Sequence, residues 1–306
     1  MKRYLTYVTL FLLIVGTILA LWECFVRQYP TSYQYKAQWM DSHAPGVSTL
    51  VLGGSHTYYG VIPSLMGDSV FNLANVTQHS EIDDWLLSHY IDRCTNLKTV
   101  IVPVDVTNTF DSPLEKSVEW YRGTYYKLYM GCDLFDNNLK YYCEISCLPA
   151  FNRKFLAAVQ GLCGGDTALE CDSTGFGTGF ATPSHFDENM MIVSAKTAEH
   201  RSTADSANVA YNSQHLMHLA SMCHDRGIRL VIVTTPMWDG YTSRISKASL
   251  ETVHGIVNQC VKKYGAVYMD HMNDTRFQGT DFYDCDHLSR QGAEKFTRIL
   301  NEQLAR

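Results

Sequence analysis

Two stretches far apart in the chain carry residues that could do chemistry together. The first is Thr49, Leu50, Val51, Leu52, Gly53, Gly54, Ser55 and His56. Residues suited to a buried strand run into two glycines, then a serine and a histidine. Thr57, Tyr58 and Tyr59 can then start a helix. In an open parallel sheet such a turn lies at the carboxyl edge of its strand, where ligands bind. Glycine lets the backbone bend there and approach a substrate closely. Ser55 is thereby presented to a ligand. The second stretch is Asp281, Phe282, Tyr283, Asp284, Cys285, Asp286, His287, Leu288 and Ser289. A serine hydroxyl is a weak nucleophile until an imidazole takes its proton, and that imidazole needs a third group to fix its tautomer. A carboxylate three residues before the histidine can do this from one loop. Ser289, as N-cap of the last helical run, puts His287 at a helix start. A Gly-Gly-Ser turn alone is only a turn; the distant Asp and His give it a chemical reading.

Three neighbours leave alternatives open. Asp286 is closer in sequence to His287 than Asp284 is, so either acid can be the orienting one. A three-residue separation lets the chain curl back, whereas an adjacent side chain usually diverges, so Asp284 is expected to face Nδ1 and Asp286 to point elsewhere. Cys285 is a rival nucleophile, but no separate base accompanies it. His56 either contacts substrate or fills the turn.

Together the two stretches resemble the SGNH hydrolase superfamily, also called the GDSL-like family. By that resemblance Ser55 is the nucleophile, His287 the general base and Asp284 its orienting acid. Gly54 stands where the family usually has an acid, and His56 follows the serine, which looks like a membrane-associated branch acting on cell-surface polymers. The family's oxyanion donors have no clean match. The candidates for oxyanion or substrate contacts are Gly54, His56, Ala74, Asn75 and Asn108. The resemblance implies acyl transfer or ester hydrolysis without cofactor or metal. The acyl group, acetyl by expectation, would move to or from a cell-surface glycan, with a membrane-bound O-acyltransferase as a partner. A non-catalytic glycan-binding or assembly protein on the same fold is the alternative.

The elements that must position these residues alternate. Strands are expected at Val70 to Leu73, Val100 to Val104, Arg229 to Thr234 and Ala266 to Met269, besides the one before Ser55. Pro103 is tolerable only near its strand's end. Ser80 with Asp83 three residues on reads as a capping box variant, followed by an apolar helical face of Ile82, Trp85, Leu86 and Tyr90. Helices are expected from about Asn208 to Gly227 and from Leu250 to Gly265. This alternation predicts a parallel sheet with helices on both faces. The expected fold class is α/β, a flavodoxin-like three-layer α/β/α arrangement with a central parallel sheet of about five strands, plus one N-terminal transmembrane helix.

Of the 306 residues, 46% are hydrophobic and 18% charged, enough for one large α/β domain with a filled core. A net charge of −6 offers no broad basic surface for nucleic acid. Tyr4 to Trp22 carry no charge and, as a helix, span about 28 Å, close to a bilayer's hydrocarbon thickness. Lys2 and Arg3 precede this segment, so the positive-inside rule places the N-terminus in the cytoplasm and the remainder outside. The expected division is an anchor and flank at 1–30 and an SGNH-like domain at 31–306, with a large insertion at about 105–206. A cleaved signal peptide is the competing reading of the first segment, and Cys24 raises a lipoprotein reading that Trp22 and Glu23 disfavour. Nine of the ten cysteines lie beyond residues 1–30, and their spacing matches no zinc ribbon. Trp120, Tyr121, Tyr125, Tyr126, Tyr129, Tyr141 and Tyr142 crowd the insertion, suited to packing or to sugar stacking. Gly175, Gly177 and Gly179 lack the Lys-Ser/Thr ending of a phosphate loop. His215 and His218, three apart on a helix, read as a solvated or packed pair.

Overall fold

In the computed structural model the described residues are 1–145, 147, 154–156, 159–161, 163, 169–180, 187–199 and 206–305. The expected insertion lies partly outside them. The described helices are α1 (Lys2–Val26), α2 (Ser32–His43), α3 (Ser55–Tyr58), α4 (Ser80–Tyr90), α5 (Val106–Phe110), α6 (Arg122–Met130), α7 (Glu188–Glu199), α8 (Ser206–Asp225), α9 (Asp239–Thr242), α10 (Lys247–Tyr264) and α11 (Arg290–Leu304). The strands are β1 (Thr49–Val51), β2 (Val70–Asn72), β3 (Thr99–Pro103), β4 (Arg229–Thr234) and β5 (Val267–Asp270).

All five strands pair in parallel in the order β2-β1-β3-β4-β5. Leu50 lies between Phe71 and Val100, and Val51 between Asn72 and Ile101. Near-continuous apolar runs such as Val100-Ile101-Val102 form strands here because both faces of a parallel sheet are covered. Pro103 is tolerated as the last residue of β3. On one face Val51, Val70, Ile101, Val231 and Val233 pack with Ala293, Phe296 and Leu300 of α11. Leu50, Phe71, Val100, Leu230 and Ile232 alternate to the opposite face, and they too are buried. α8 packs on α4, α5, α10 and β4, and α10 also on β5. The strand order reverses at β1 and β3, and the crevice beyond the carboxyl ends of such a pair is where doubly wound sheets bind ligands. Ser55 follows β1 and Asp105 follows β3, so both stand at this crevice.

The chain forms two compact units, one of Met1–Ala37 with Val118–Leu169, the other of Gln38–Ser117 with Glu170–Arg306. The second holds the sheet. Within the first, α1 is long and apolar enough to cross a membrane. Tyr121, Tyr125, Tyr126 and Tyr141 of the insertion are buried inside this unit, where Tyr33 packs on Tyr125 and Tyr126, and Phe135 on Tyr126 and Tyr141. Tyr142 is an exception and stays exposed.

Candidate active site

The turn that presents Ser55 is fixed from several directions. Gly53 has φ +110°, and a Cβ there would run into the Pro103 ring and Thr57 Oγ1, so only glycine fits. The Gly53 N–H donates to Asp83 Oδ1 at 2.8 Å, and the Gln78 amide donates to the same oxygen at 2.7 Å. Thr57 Oγ1 donates to the Leu52 carbonyl at 2.7 Å. The buried Asn72 amide donates to the carbonyls of Thr57 and Val61, tying α3 to the end of β2. Asp83 therefore does not serve the capping box expected with Ser80. His79 is the N-cap of α4 and makes no side-chain cap, while Asp83 turns into the core to hold Gly53. Burial pushes the Asp83 carboxyl up to about 8, against the opposing pull of the Gln78 and Gly53 hydrogen bonds.

His287 reaches this turn from a loop closed by a bridge between Phe282 and Leu288. Ser289 caps α11, its hydroxyl accepting from the Gly292 N–H at 3.2 Å, as its place before the last helical run suggests. His287 Nε2 is 2.7 Å from Ser55 Oγ, although 232 positions separate the two residues. Its Nδ1 is 2.9 and 3.0 Å from the Asp284 oxygens. Asp284 Oδ1 also accepts the backbone N–H groups of Asp286 and His287, the local curl that brings an acid three residues back onto the ring.

Asp286 does not point elsewhere. Its Oδ1 is 3.2 Å from His287 Nδ1 and its Oδ2 is 3.7 Å from His56 Nε2. The loop turns tightly enough that both acids reach one imidazole. Burial resists charge on His287, but Asp286 and Asp284 outweigh it and hold the imidazole well above its ordinary range. Burial likewise opposes charge on Asp286, and His287 and His56 hold its carboxyl well below the usual carboxylate range.

His56 is buried beneath the turn, its Nδ1 2.6 Å from Asp105 Oδ2. Burial would neutralise it, yet Asp105 and Asp286 raise it to about 9. Asp105 Oδ1 meanwhile accepts the N–H groups of Thr107 and Asn108, and Asn108 Oδ1 accepts the Asp105 N–H, a capping box on α5. Sequence reasoning placed Asp105 only at the start of an insertion. The signal available was an acid directly after the Pro103-Val104 end of a buried strand.

A cleft of about 90 Å³ adjoins Ser55, lined by Gly54, His56, Thr77, Gln78, His79, Thr107, Asn108 and Asp111. Thr77 is held at φ 56°, a left-handed conformation costly for a β-branched residue and of the kind that gathers at ligand sites. Of the expected oxyanion or substrate residues, Gly54, His56 and Asn108 line the cleft, while Ala74 and Asn75 do not. The Ala74 N–H is spent on Asn72 Oδ1, and Asn75, expected to act through its side chain, is buried with its own N–H on the Gly53 carbonyl. Beside His287 stands an aromatic wall: Phe180 stacks on Tyr59 and on Tyr283, with ring centroids 4.0 and 3.8 Å apart, and presents its ring edge-on to His287. Gly177 packs on Tyr58 and Tyr59 with no room for a Cβ, so the glycine run serves this wall.

His56, Asp286 and His287 offer ligand atoms within 4.8 Å of one another, as do Asp284, Cys285 and Asp286. Ser55 and three carboxylates already face the imidazole nitrogens, so this set is arranged to hold and move protons. Cys285 is fully buried, its thiol pushed up by burial and by Asp286, the opposite of an activated nucleophile. His215 and His218 both turn Nδ1 to Asp84, at 2.8 and 2.6 Å, packing α8 to α4.

No family model and no curated protein matches the chain. Among solved structures, a lipase/acylhydrolase from Enterococcus faecalis aligns at 13% identity and a TM-score of 0.38, covering 84% of this chain and 95% of that one. Est24, a carbohydrate acetylesterase from Sinorhizobium meliloti, aligns at 10% identity and a TM-score of 0.35, covering 85% and 98%. Both likenesses are remote, and the chemistry of this chain is read from its own side chains.

Proposed function

We propose that the protein is a membrane-anchored, extracytoplasmic, SGNH-like enzyme that moves or removes a small acyl group on a cell-surface glycan through an acyl-serine intermediate. The observation that carries this reading is the unbroken hydrogen-bonded line from Ser55 Oγ through His287 to Asp284. In the first half-reaction Ser55 Oγ attacks the ester carbonyl as its proton passes to His287 Nε2, and Asp284 stabilises the imidazolium that forms. The first N–H groups of a helix have no partner within it, so those of Ser55 and His56 at the start of α3 suit the oxyanion. Collapse of the tetrahedral intermediate expels the alcohol, which takes the proton back from His287. In the second half, water or a sugar hydroxyl gives its proton to His287 and attacks acyl-Ser55; collapse of this second intermediate expels Ser55 Oγ, which takes the proton back from His287, and releases an acid or a new ester.

The cleft beside Ser55, at about 90 Å³, is small, which suits a short acyl group. The wall of Tyr59, Phe180 and Tyr283 suits stacking on a sugar ring. Transfer rather than hydrolysis would follow if a membrane-bound O-acyltransferase supplied the acyl group. A fluorophosphonate probe tests the reading: it should label the wild type and leave Ser55→Ala unlabelled. A folded wild type that takes no label and cleaves no aryl acetate would instead be the binding protein of the alternative.

A further inference from the structure

The serine, the base and Asp284 account for the proposed chemistry, yet a second imidazole and two more acids are buried against them. His56 lies between Asp105, 2.6 Å from its Nδ1, and Asp286, 3.7 Å from its Nε2. A carboxylate faces each of its nitrogens, an arrangement that favours a proton on both. Asp286 in turn lies between two imidazoles, whose ring centroids are 4.9 Å apart. We infer that His56 is a positioning residue for the base: clamped by Asp105 as an imidazolium, it holds Asp286 at His287 Nδ1 and opposes premature protonation of His287. This rests on the reading of His287 as the base.

A base must be neutral before it can accept the serine proton, but two carboxylates beside Nδ1 favour its charged form. A cation on the far side of Asp286 offsets part of that pull. It also keeps Asp286 partnered when His287 is neutral, so the carboxylate does not have to move as the proton arrives and leaves. The groups facing the two imidazoles are Ser55 from α3, Tyr59 just after it, Asp105 just after β3, and Asp284 and Asp286 from the loop, while Cys285 from the loop and Tyr241 from α9 lie against the acids. Burial and the nearby acids push the Tyr241 and Cys285 protons to higher pH, so neither adds charge at neutral pH.

Replacing His56 with a neutral residue should move the His287 titration upward. A rise of about one unit would cost about tenfold in kcat/KM below the midpoint. Asp105→Asn provides a gentler version. The asparagine oxygen can still cap α5, while its amide now donates to His56 Nδ1 and leaves that imidazole neutral. The experiment is an NMR titration of the His287 ring in the full-length Ser55→Ala protein in detergent, with and without His56→Gln or Asp105→Asn, beside the pH profile of kcat/KM in the Ser55 protein. The expected result is a higher His287 midpoint in whichever variants fold, with the acid limb of the profile moving by the same amount. A midpoint unchanged or lowered in a folded variant overturns the inference. The titration needs no turnover, so it decides the role of His56 even if fluorophosphonate labelling shows that Ser55 is no nucleophile.

Discussion

At the level of single residues, the site places two acids against one imidazole, and their geometries differ. Asp284 presents both oxygens to Nδ1 and is itself held by two backbone N–H groups. Asp286 presents one oxygen at 3.2 Å and shares its other with His56. Removing the main orienter lets the imidazole take the wrong tautomer, a loss of about 10⁴ in turnover in the well-known serine triad. Asp284→Asn should therefore cost about 10²–10⁴ in kcat. Asp286→Asn should cost less and shift the acid limb to lower pH, because removing a carboxylate from His287 makes its proton easier to lose. Measuring kcat and its pH dependence for both variants on one aryl ester checks this; a larger loss at Asp286 would exchange the two roles. Ser55, Asp284 and His287 were legible because strand-turn-helix logic and a three-residue spacing are local patterns. Asp105 was not, because its partner is 49 positions away and only the order β2-β1-β3 brings the two strand ends together.

At the level of elements, strands and helices followed from apolar runs and their periods, and β4 falls at its expected bounds. The order of the strands was not legible, since every one is a similar apolar run. Asp83 was misread for a related reason: on α4 it occupies a position where an acid usually caps, and the Gly53 N–H it serves belongs to another element. That service can be tested through pH. With a folded value of about 8 against an ordinary 3.8, Asp83 keeps its proton in the native state while the unfolded chain loses it. Native stability should therefore fall as pH rises from about 4 to 8, by at most about 1.4 kcal/mol per unit, and level off above. Asp83→Asn retains an oxygen for Gly53 and Gln78 and cannot ionise. Its stability relative to wild type should rise across that window, with fluorophosphonate labelling kept. Asp83→Ala leaves the Gly53 N–H unpaired, at about 1–3 kcal/mol, and should slow labelling. Denaturant melts at pH 5 and pH 8 decide the point: equal losses in wild type and Asp83→Asn would show that Asp83 is ionised in the native state.

At the level of the whole molecule, α1 combines an apolar segment with a polar end. Its window of highest hydropathy has no buried residues, as expected of a helix that faces lipid. Near its carboxyl end Glu23 is buried within the same compact unit. It accepts the N–H groups of Glu144 and Ile145, each at 3.0 Å, the Cys143 thiol at 3.1 Å and the Arg27 guanidinium at 2.7 Å. Sequence reading marked the apolar run and its basic flank but gave Glu23 no structural role, since three of its partners lie about 120 positions on. With the anchor of the proposed function, the apolar run and the polar end of α1 do separable work. Removing residues 1–21 should release the protein from membranes and leave the Glu23 contacts intact. Removing residues 1–27 should release it as well, but leaves the buried Glu144 N–H and the half-buried Ile145 N–H without their acceptor, at about 1–3 kcal/mol for the buried one. After fractionation the full chain should sediment with membranes and both truncations stay in the supernatant, with the shorter chain melting at lower temperature. A full-length protein in the supernatant would remove the anchor from the proposed function; equal melting of the two truncations would remove Glu23 as the element that fastens the end of α1 to its unit.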